Sequence, residues 1–207
     1  MTFYIGTDSV KGVYVGTDEV QKIYVGTNLV YHNSPKKILI FEDNGVTGSH
    51  NTNYTSVQGA VATVESNGTK INSPNFYDGY YRANQLIQGD FEVEFTFVEG
   101  GNTYYPDVGF INASNDKYWS IDHRTSGDGI YTMETSETIA NAPGAITNGE
   151  VWKITRVGGT VSFYVNNVLK FTVNNMTQND LYFAWKTHNH ASRWFRFKNL
   201  KIYKIEE

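Results

Sequence analysis

The chain has 207 residues, a formal net charge of −4, no cysteine, 15% aromatic residues and 18% charged residues. This length predicts one ordinary domain, with or without a small appendage, and the aromatic content excludes a disordered chain because such side chains can build a core. The absence of cysteine excludes a disulfide scaffold, a cysteine zinc site and a thiol nucleophile. No basic stripe and no long apolar run is present, so neither nucleic-acid binding nor a membrane span is expected.

Residues 1–31 contain a repeat with a period of ten residues: apolar, Tyr, apolar, Gly, Thr, Asp or Asn, any residue, Val. A period this short suits a strand followed by a glycine turn, so the repeat predicts a small antiparallel β meander. Three short strands are marginal alone, which favours packing on the following domain, a sister chain or a larger assembly. A self-contained flap on the main domain is the alternative. Under the assembly hypothesis, the repeated Tyr4, Tyr14 and Tyr24 are the assembly residues.

A linker is predicted at residues 32–37, and nearly every later segment has strand character. Phe91, Val93, Phe95 and Phe97 alternate with polar residues, as in a strand with one buried face. The region 38–207 is therefore predicted to be an all-β domain that forms a two-sheet β-sandwich. Its predicted strands are 38–41, 54–64, 80–87, 91–98, 107–111, 117–122, 130–133, 151–157, 160–165, 169–173, 181–186 and 194–205.

Two dipeptides between adjacent predicted strands have hairpin-turn chemistry. Gly158-Gly159 and Asn166-Asn167 each stand where a two-residue turn needs positive φ. Consecutive antiparallel strands are therefore expected from residue 151 to residue 173.

Several segments resemble concanavalin A-like lectins and glucanases. The most specific is the hairpin Trp-x-Ile-x-Arg-x-Gly-Gly-x-Val-x-Phe-Tyr-Val-Asn that begins at Trp152, and segments 89–97, 181–188 and 197–203 extend the resemblance over most of 38–207. The resemblance implies a jelly-roll sandwich. Because that fold supports many activities, it implies less about function.

The N-terminal repeat resembles decapeptide repeats in virion proteins of tailed bacteriophages, where they occur beside tail or fibre adhesion modules. This resemblance implies a protein of the phage particle surface, made in the bacterial cytoplasm. Its expected partners are other virion proteins and further copies of the same chain. No secretion signal is recognised at the N-terminus, which agrees with that expectation.

The family that the sequence resembles includes glucanases, so a catalytic role has to be considered. A retaining glycosidase needs two adjacent carboxylates, and the Glu-x-Asp-x-x-Glu pattern of those glucanases is absent. Glu92 and Glu94 are the best substitutes, but they fit solvated residues on the outward face of a strand. Glu134 and Glu137 fit a surface loop. The protein is therefore expected not to be an enzyme.

A serine triad and a zinc site are also weighed. Ser120 and Asp122 share a strand face that His123 does not, so these three do not converge. His188 and His190 share a face if extended, but no spacing marks a third zinc ligand, and a polar loop is favoured.

No cofactor is expected to be required. Glu42 and Asp43, followed by Asn and Gly, offer hard oxygen ligands and form a candidate structural calcium site.

Sugars are bound by aromatic rings that stack on their C–H faces and by polar groups that bind their hydroxyls. Trp194 is out of phase with the apolar face of its strand, and Tyr104-Tyr105 stand in a loop without core periodicity. Trp185 fits the core better, although it ends a strand beside a polar loop. The predicted carbohydrate-binding residues are Tyr104, Tyr105, Asp107, Trp185, His188, His190, Trp194 and Arg196.

The sequence therefore predicts a non-catalytic phage structural protein that displays a carbohydrate-binding jelly roll for adhesion to a host cell-surface polysaccharide. The alternative is a virion decoration or tail appendage without glycan binding. A polysaccharide-degrading glycosidase is a minor alternative.

Overall fold

The structure is a computed structural model, and it separates into two compact units, residues 1–36 with 206–207 and residues 37–205. The residues that it describes are 14–15, 18–19, 22–25, 28–32, 35–45, 53–57, 61–72, 79–100, 107–114, 118–124, 127–132, 147–174, 180–187 and 194–206.

Within the first unit, the described residues form two β-hairpins. Strand β1 (Tyr14–Val15) pairs with β2 (Asp18–Glu19), and β3 (Lys22–Val25) pairs with β4 (Asn28–His32). The innermost described pairs are Val15↔Asp18 and Val25↔Asn28, and the predicted turn residues Gly16-Thr17 and Gly26-Thr27 lie outside the described residues.

The described strands after residue 35 form two antiparallel sheets. They are β5 (Lys36–Asp43), β6 (Tyr54–Val57), β7 (Val61–Glu65), β8 (Gly68–Asn72), β9 (Gly79–Ile87), β10 (Phe91–Gly100), β11 (Asp107–Asn112), β12 (Tyr118–Arg124), β13 (Gly127–Thr132), β14 (Val151–Val157), β15 (Thr160–Val165), β16 (Val168–Val173), β17 (Leu181–Thr187) and β18 (Trp194–Glu206).

The larger sheet has the strand order β16-β15-β14-β10-β18-β8-β7, with β5 also paired to β18. The smaller, six-stranded sheet has the order β13-β12-β11-β17-β9-β6. Strand β10 lies between β14 and β18, which places the strongly alternating segment 91–97 in the middle of the larger sheet. The predicted all-β sandwich is confirmed.

Aromatic side chains from both sheets fill the space between them. Phe95 of β10 contacts Phe183 of β17 with ring centroids 5.7 Å apart, and Phe91 of β10 contacts Phe110 of β11 at 4.8 Å. Trp152 is also buried here, as predicted. Burial of such rings removes a large apolar area from water and is the main force that holds the sheets together.

Both predicted dipeptide turns are present. Gly158 and Gly159 have φ values of 56° and 81°, and Asn166 and Asn167 have values of 50° and 64°. The ladder pairs on either side, Val157↔Thr160 and Val165↔Val168, make both loops two residues long. Positive φ at both central residues is the requirement that glycine and asparagine meet most easily.

Two strand predictions are wrong in detail. The predicted strand 54–64 is divided into β6 and β7, which lie in different sheets, and β8 was not predicted at all. The predicted linker 32–37 also contains the first two residues of β5. Across the described part of the chain, no helix has the length and apolarity that crossing a membrane requires.

Candidate functional site

The outward side of the six-stranded sheet bears two half-buried tyrosines with an arginine close to one of them. In β9 and β17, buried residues such as Tyr81, Ala83, Phe183 and Trp185 alternate with the residues that point outward. The surface, here called the Arg82 face, consists of Thr55, Tyr80, Arg82, Asn84, Tyr182, Ala184 and Lys186.

Arg82 lies over the ring of Tyr182, with the guanidinium carbon 3.6 Å from the ring centroid. Beside this pair, Ala184 and Ile111 form a small apolar cluster against which Tyr80 and Tyr182 pack. The cluster fixes the two tyrosines on the sheet, because a ring that packs on buried neighbours loses rotamer freedom. A held aromatic ring beside polar groups is the arrangement that sugar binding requires.

Hydrogen bonds and register define the polar part of the face. Arg82 stands between Thr55 of β6 and Ala184 of β17 in the ladder. The Thr55 hydroxyl donates to Asn84 Oδ1 at 2.5 Å, which fixes the amide and directs its NH₂ group elsewhere. Strands β6, β9 and β17 contain no Asp or Glu, so the charges they bring to this face are those of Arg82 and Lys186.

A second cluster lies on the outward side of the larger sheet, around the predicted ligand residue Trp194. The Trp194 ring is partly exposed, with Lys70 Nζ 4.6 Å and the Arg196 guanidinium carbon 5.1 Å from its centroid. Arg196 is buried and is ion-paired with Glu65 through Nη2 and with Glu99 through Nη1. The structure thus gives Arg196 a role in joining β7, β10 and β18, whereas Trp194 is partly exposed.

The two clusters lie near ends of strands that three connections join. In the smaller sheet, Thr187 is opposite Gly79, and Asp107 is opposite Lys186. In the larger sheet, Trp194 is opposite Asn72. Three segments of the chain each lie between a strand of one sheet and a strand of the other: 73–78 between β8 and β9, 101–106 between β10 and β11, and 188–193 between β17 and β18. Tyr104, Tyr105, His188 and His190 lie outside the described residues, and their sugar-binding role stays a prediction.

The assignment of Trp185 to the binding site is wrong. Its side chain has no exposed surface, and its ring stacks on Phe197 at 4.4 Å between centroids and contacts Tyr54 at 5.9 Å. It points into the sandwich because it shares strand parity with Leu181 and Phe183. A ring enclosed on both faces cannot stack on a sugar.

The candidate catalytic carboxylates Glu92 and Glu94 stand beside lysines in the larger sheet. Glu92 is 6% exposed and pairs with Lys37 Nζ at 2.7 Å, so it is not the solvated residue that the alternation predicted. In the ladder, Glu94 lies between Lys153 of β14 and Lys201 of β18. The ion pair with Lys37 gives Glu92 a structural role.

The candidate calcium ligands also have protein partners. Asp43 is buried and accepts hydrogen bonds from the Tyr54 hydroxyl at 2.5 Å and from the Gly45 amide at 2.8 Å, one on each carboxylate oxygen. Glu42 is 3.6 Å from Lys201 Nζ. No group of three or more His, Asp or Glu side chains within the described ranges could hold a metal. Calcium binding by these residues remains a prediction.

Sequence reasoning missed Tyr80, Arg82 and Tyr182. The sequence Tyr80-Tyr81-Arg82 places an aromatic residue on each side of its strand, so alternation alone does not say which tyrosine is buried. The sequence did contain one indication of this site, because neither β9 nor β17 has an acidic residue that could pair with Arg82.

No protein-family model matches this sequence, and no curated protein matches it. Solved structures do match the fold. The carbohydrate-binding module CBM66 from Bacillus subtilis has a TM-score of 0.55 at 13% identity, over 74% of this chain and 96% of that one. The carbohydrate recognition domain of Emp47p has a TM-score of 0.56 at 13% identity, over 78% and 93%.

An endo-β-1,3-glucanase from Pyrococcus furiosus has a TM-score of 0.61 at 9% identity, over 90% of this chain and 98% of that one. These likenesses establish a jelly-roll sandwich of the concanavalin A-like kind. Enzymes and binding modules share that fold, so the likeness alone decides neither activity.

Proposed function

We propose that this chain is a non-catalytic protein that binds a polysaccharide of a bacterial cell surface through its sandwich, and that its N-terminal repeat attaches it to a phage particle. The observation that carries the binding part is the Arg82 face. Tyr80 and Tyr182 are held on its surface by a small apolar cluster, with polar groups from three strands between and around them.

The fold gives this proposal independent support, because a carbohydrate-binding module and a carbohydrate recognition domain are among the similar structures. The ion pair of Glu92 with Lys37, and the ladder position of Glu94 between two lysines, favour a binding role over a glycosidase. Affinity at one site is expected to be weak, so many copies on one particle would provide avidity.

Binding of the purified full-length chain to an array of bacterial surface glycans tests the function. Replacing Tyr80 and Tyr182 together by alanine should weaken binding about tenfold or more, because the variant loses the ring of Tyr80 as a stacking surface and the ring of Tyr182 that holds Arg82. The matched control is Tyr164→Ala. Tyr164 also points outward, from the larger sheet, and also has a cation near its ring, Lys153 Nζ at 4.8 Å.

Equal losses in the double variant and the control would show a nonspecific effect and would contradict the site. A wild-type chain that binds no surface glycan would contradict the function and favour a purely structural virion component. Reducing ends released from a polysaccharide would contradict the non-catalytic assignment.

The attachment part is tested on phage particles. The intact chain should copurify with particles through a density gradient, and a chain without residues 1–31 should remain in the soluble fraction. Copurification that is unchanged by the deletion would contradict the role of the repeat.

A further inference from the structure

Arg82 differs from the other arginines whose side chains the structure describes. Arg196 has both terminal nitrogens paired with carboxylates, and Arg156 donates through Nη2 to the Gly89 carbonyl. Within the described part of the chain, Arg82 Nε and Nη1 are shielded from solvent and have no hydrogen-bond partner, and the guanidinium lies over the ring of Tyr182.

A charged donor in this state costs stability, since groups removed from water normally have a partner that replaces it. The described strands on either side of Arg82 supply no acidic partner. Thr55 and Ala184 are directly opposite it, and β6, β9 and β17 contain no carboxylate. Asp107 of β11 stands opposite Lys186, one strand farther away.

The geometry of the arginine is already restricted. The guanidinium carbon lies over the ring of Tyr182, 3.6 Å from its centroid, and this contact restricts the position of the planar guanidinium. A planar guanidinium held in this way matches the two oxygens of a carboxylate or the oxygens of a phosphate. Tyr80, two residues away on the same strand side, offers an aromatic surface for the adjoining sugar ring.

We propose that the glycan bound by this protein is acidic and that its carboxylate or phosphate pairs with Arg82. This inference rests on the proposed glycan-binding function and names the ligand class for the same face. The acidic group supplies the acceptors that the surrounding strands lack. Because Nε and Nη1 are shielded in the unliganded protein, pairing of the acidic group with either nitrogen requires Arg82 or its neighbours to move.

The test uses the full-length chain and pairs of an acidic and a neutral polymer, of which the carboxylate pairs differ only by esterification of the acid. The carboxylate probes are oligomers of galacturonate, glucuronate and mannuronate, each beside its methyl ester. The phosphate probe is a glycerol-phosphate polymer, and a neutral glucan of similar length is its counterpart. Calorimetric titration should give an affinity for at least one acidic probe that is about tenfold or more above that for its neutral counterpart, as expected for a charge-assisted hydrogen bond.

Two variants assign the effect to Arg82. Arg82→Gln should remove the preference for the acidic probe, and Arg82→Lys should retain part of it, because a lysine keeps the charge without the planar pair of donors. Lys153→Ala is the matched control, since it removes a cation near an outward tyrosine of the other sheet and should leave the preference unchanged. Circular dichroism and thermal unfolding confirm that each variant is folded.

The comparison of free acid with methyl ester on the wild-type chain needs no substitution, so it decides the inference even if an Arg82 variant does not fold. Equal affinity for acidic and neutral members of every pair, or binding to neutral glycans alone, would overturn the inference and leave the proposed function standing. An acid preference that Arg82→Gln leaves unchanged would overturn the assignment to Arg82. Absence of binding to any glycan would remove the proposed function itself.

Discussion

The indole of Trp185 lies parallel to the ring of Phe197, with centroids 4.4 Å apart and planes inclined by 16°. Trp185 belongs to β17 of the smaller sheet and Phe197 to β18 of the larger sheet, so the stack joins the two layers. Tyr54 contacts the same indole at 5.9 Å and also donates a hydrogen bond to Asp43. Tyr54 therefore packs in the core and, through its hydrogen bond to Asp43, also connects β6 to β5.

Trp185→Ala should lower the free energy of unfolding by about 3–5 kcal/mol, because it leaves a large cavity between the sheets. Trp185→Phe should cost less, since it keeps a ring and removes an indole N–H that has no hydrogen-bond partner in the described structure. Urea denaturation measures both values. A Trp185→Ala chain of normal stability that has lost glycan binding would contradict the assignment of this residue to the core.

Gly68→Ala should destabilise the sandwich more than Gly89→Ala. Gly68 has a φ of +140°, and an added Cβ would lie 2.5 Å from the carbonyl oxygen of Phe197. Gly89 also has a positive φ, +69°, but nothing lies within 4 Å of its added Cβ. Gly89→Ala should cost about 1–2 kcal/mol from backbone strain alone. Thermal unfolding of both variants checks this order. Equal losses of stability would show that the close approach of β8 to β18 does not add to the cost of a side chain at Gly68.

The stability of the protein should fall as the pH rises above about 10. Burial raises the pKa of Tyr54 well above its ordinary value of 10.0 and raises the pKa of Tyr81 to about 12, and the charge of Asp43 adds to both effects. The unfolded chain releases these protons near pH 10, whereas the folded chain retains them. Their contribution is thus complete below pH 10 and is lost as the pH rises from 10 towards 12.

The slope of the free energy of unfolding against pH should approach about 1.4 kcal/mol per pH unit for each retained proton. Tyr54→Phe should reduce this slope, because it removes one of the two groups. Urea denaturation at a series of pH values between 9 and 11.5 checks it. A slope that Tyr54→Phe leaves unchanged would contradict the burial of that hydroxyl.

Local chemistry explains which parts of the fold were predictable. Asn166-Asn167 and Gly158-Gly159 indicate their hairpins because few residues accept positive φ at two successive positions. Strand β8 begins at Gly68 and contains polar residues, and its place depends on pairing with β7 and β18, which no short window contains. The position of Glu92 beside Lys37, 55 residues away, depends on the tertiary fold in the same way.

The candidate site was only partly predictable for a related reason. Trp194 is recognised by its phase relative to Phe195 and Phe197, and the structure does place it outward. The pairing of Arg82 with Tyr182 joins two strands that are far apart in sequence. The preference of an arginine for that ring rather than for a carboxylate follows from the composition of three neighbouring strands, which becomes visible only when the sheet order is known.

Trp194→Ala tests whether the second cluster shares in binding. If the site extends across the connected strand ends, this variant and Tyr104→Ala together should weaken glycan binding, while the stability loss should stay small because Trp194 is partly exposed. Titration with a bound glycan measures the effect. Unchanged binding in the double variant would restrict the site to the Arg82 face.

The most direct test of the central claim is the affinity of the full-length chain for its best surface glycan, measured by calorimetric titration for the wild type, the Tyr80→Ala/Tyr182→Ala variant and the Tyr164→Ala control. The account predicts measurable binding by the wild type and the control, and a loss of about tenfold or more in the double variant. Binding of equal strength by all three folded proteins would contradict the claim that the outward side of the six-stranded sheet is the glycan site.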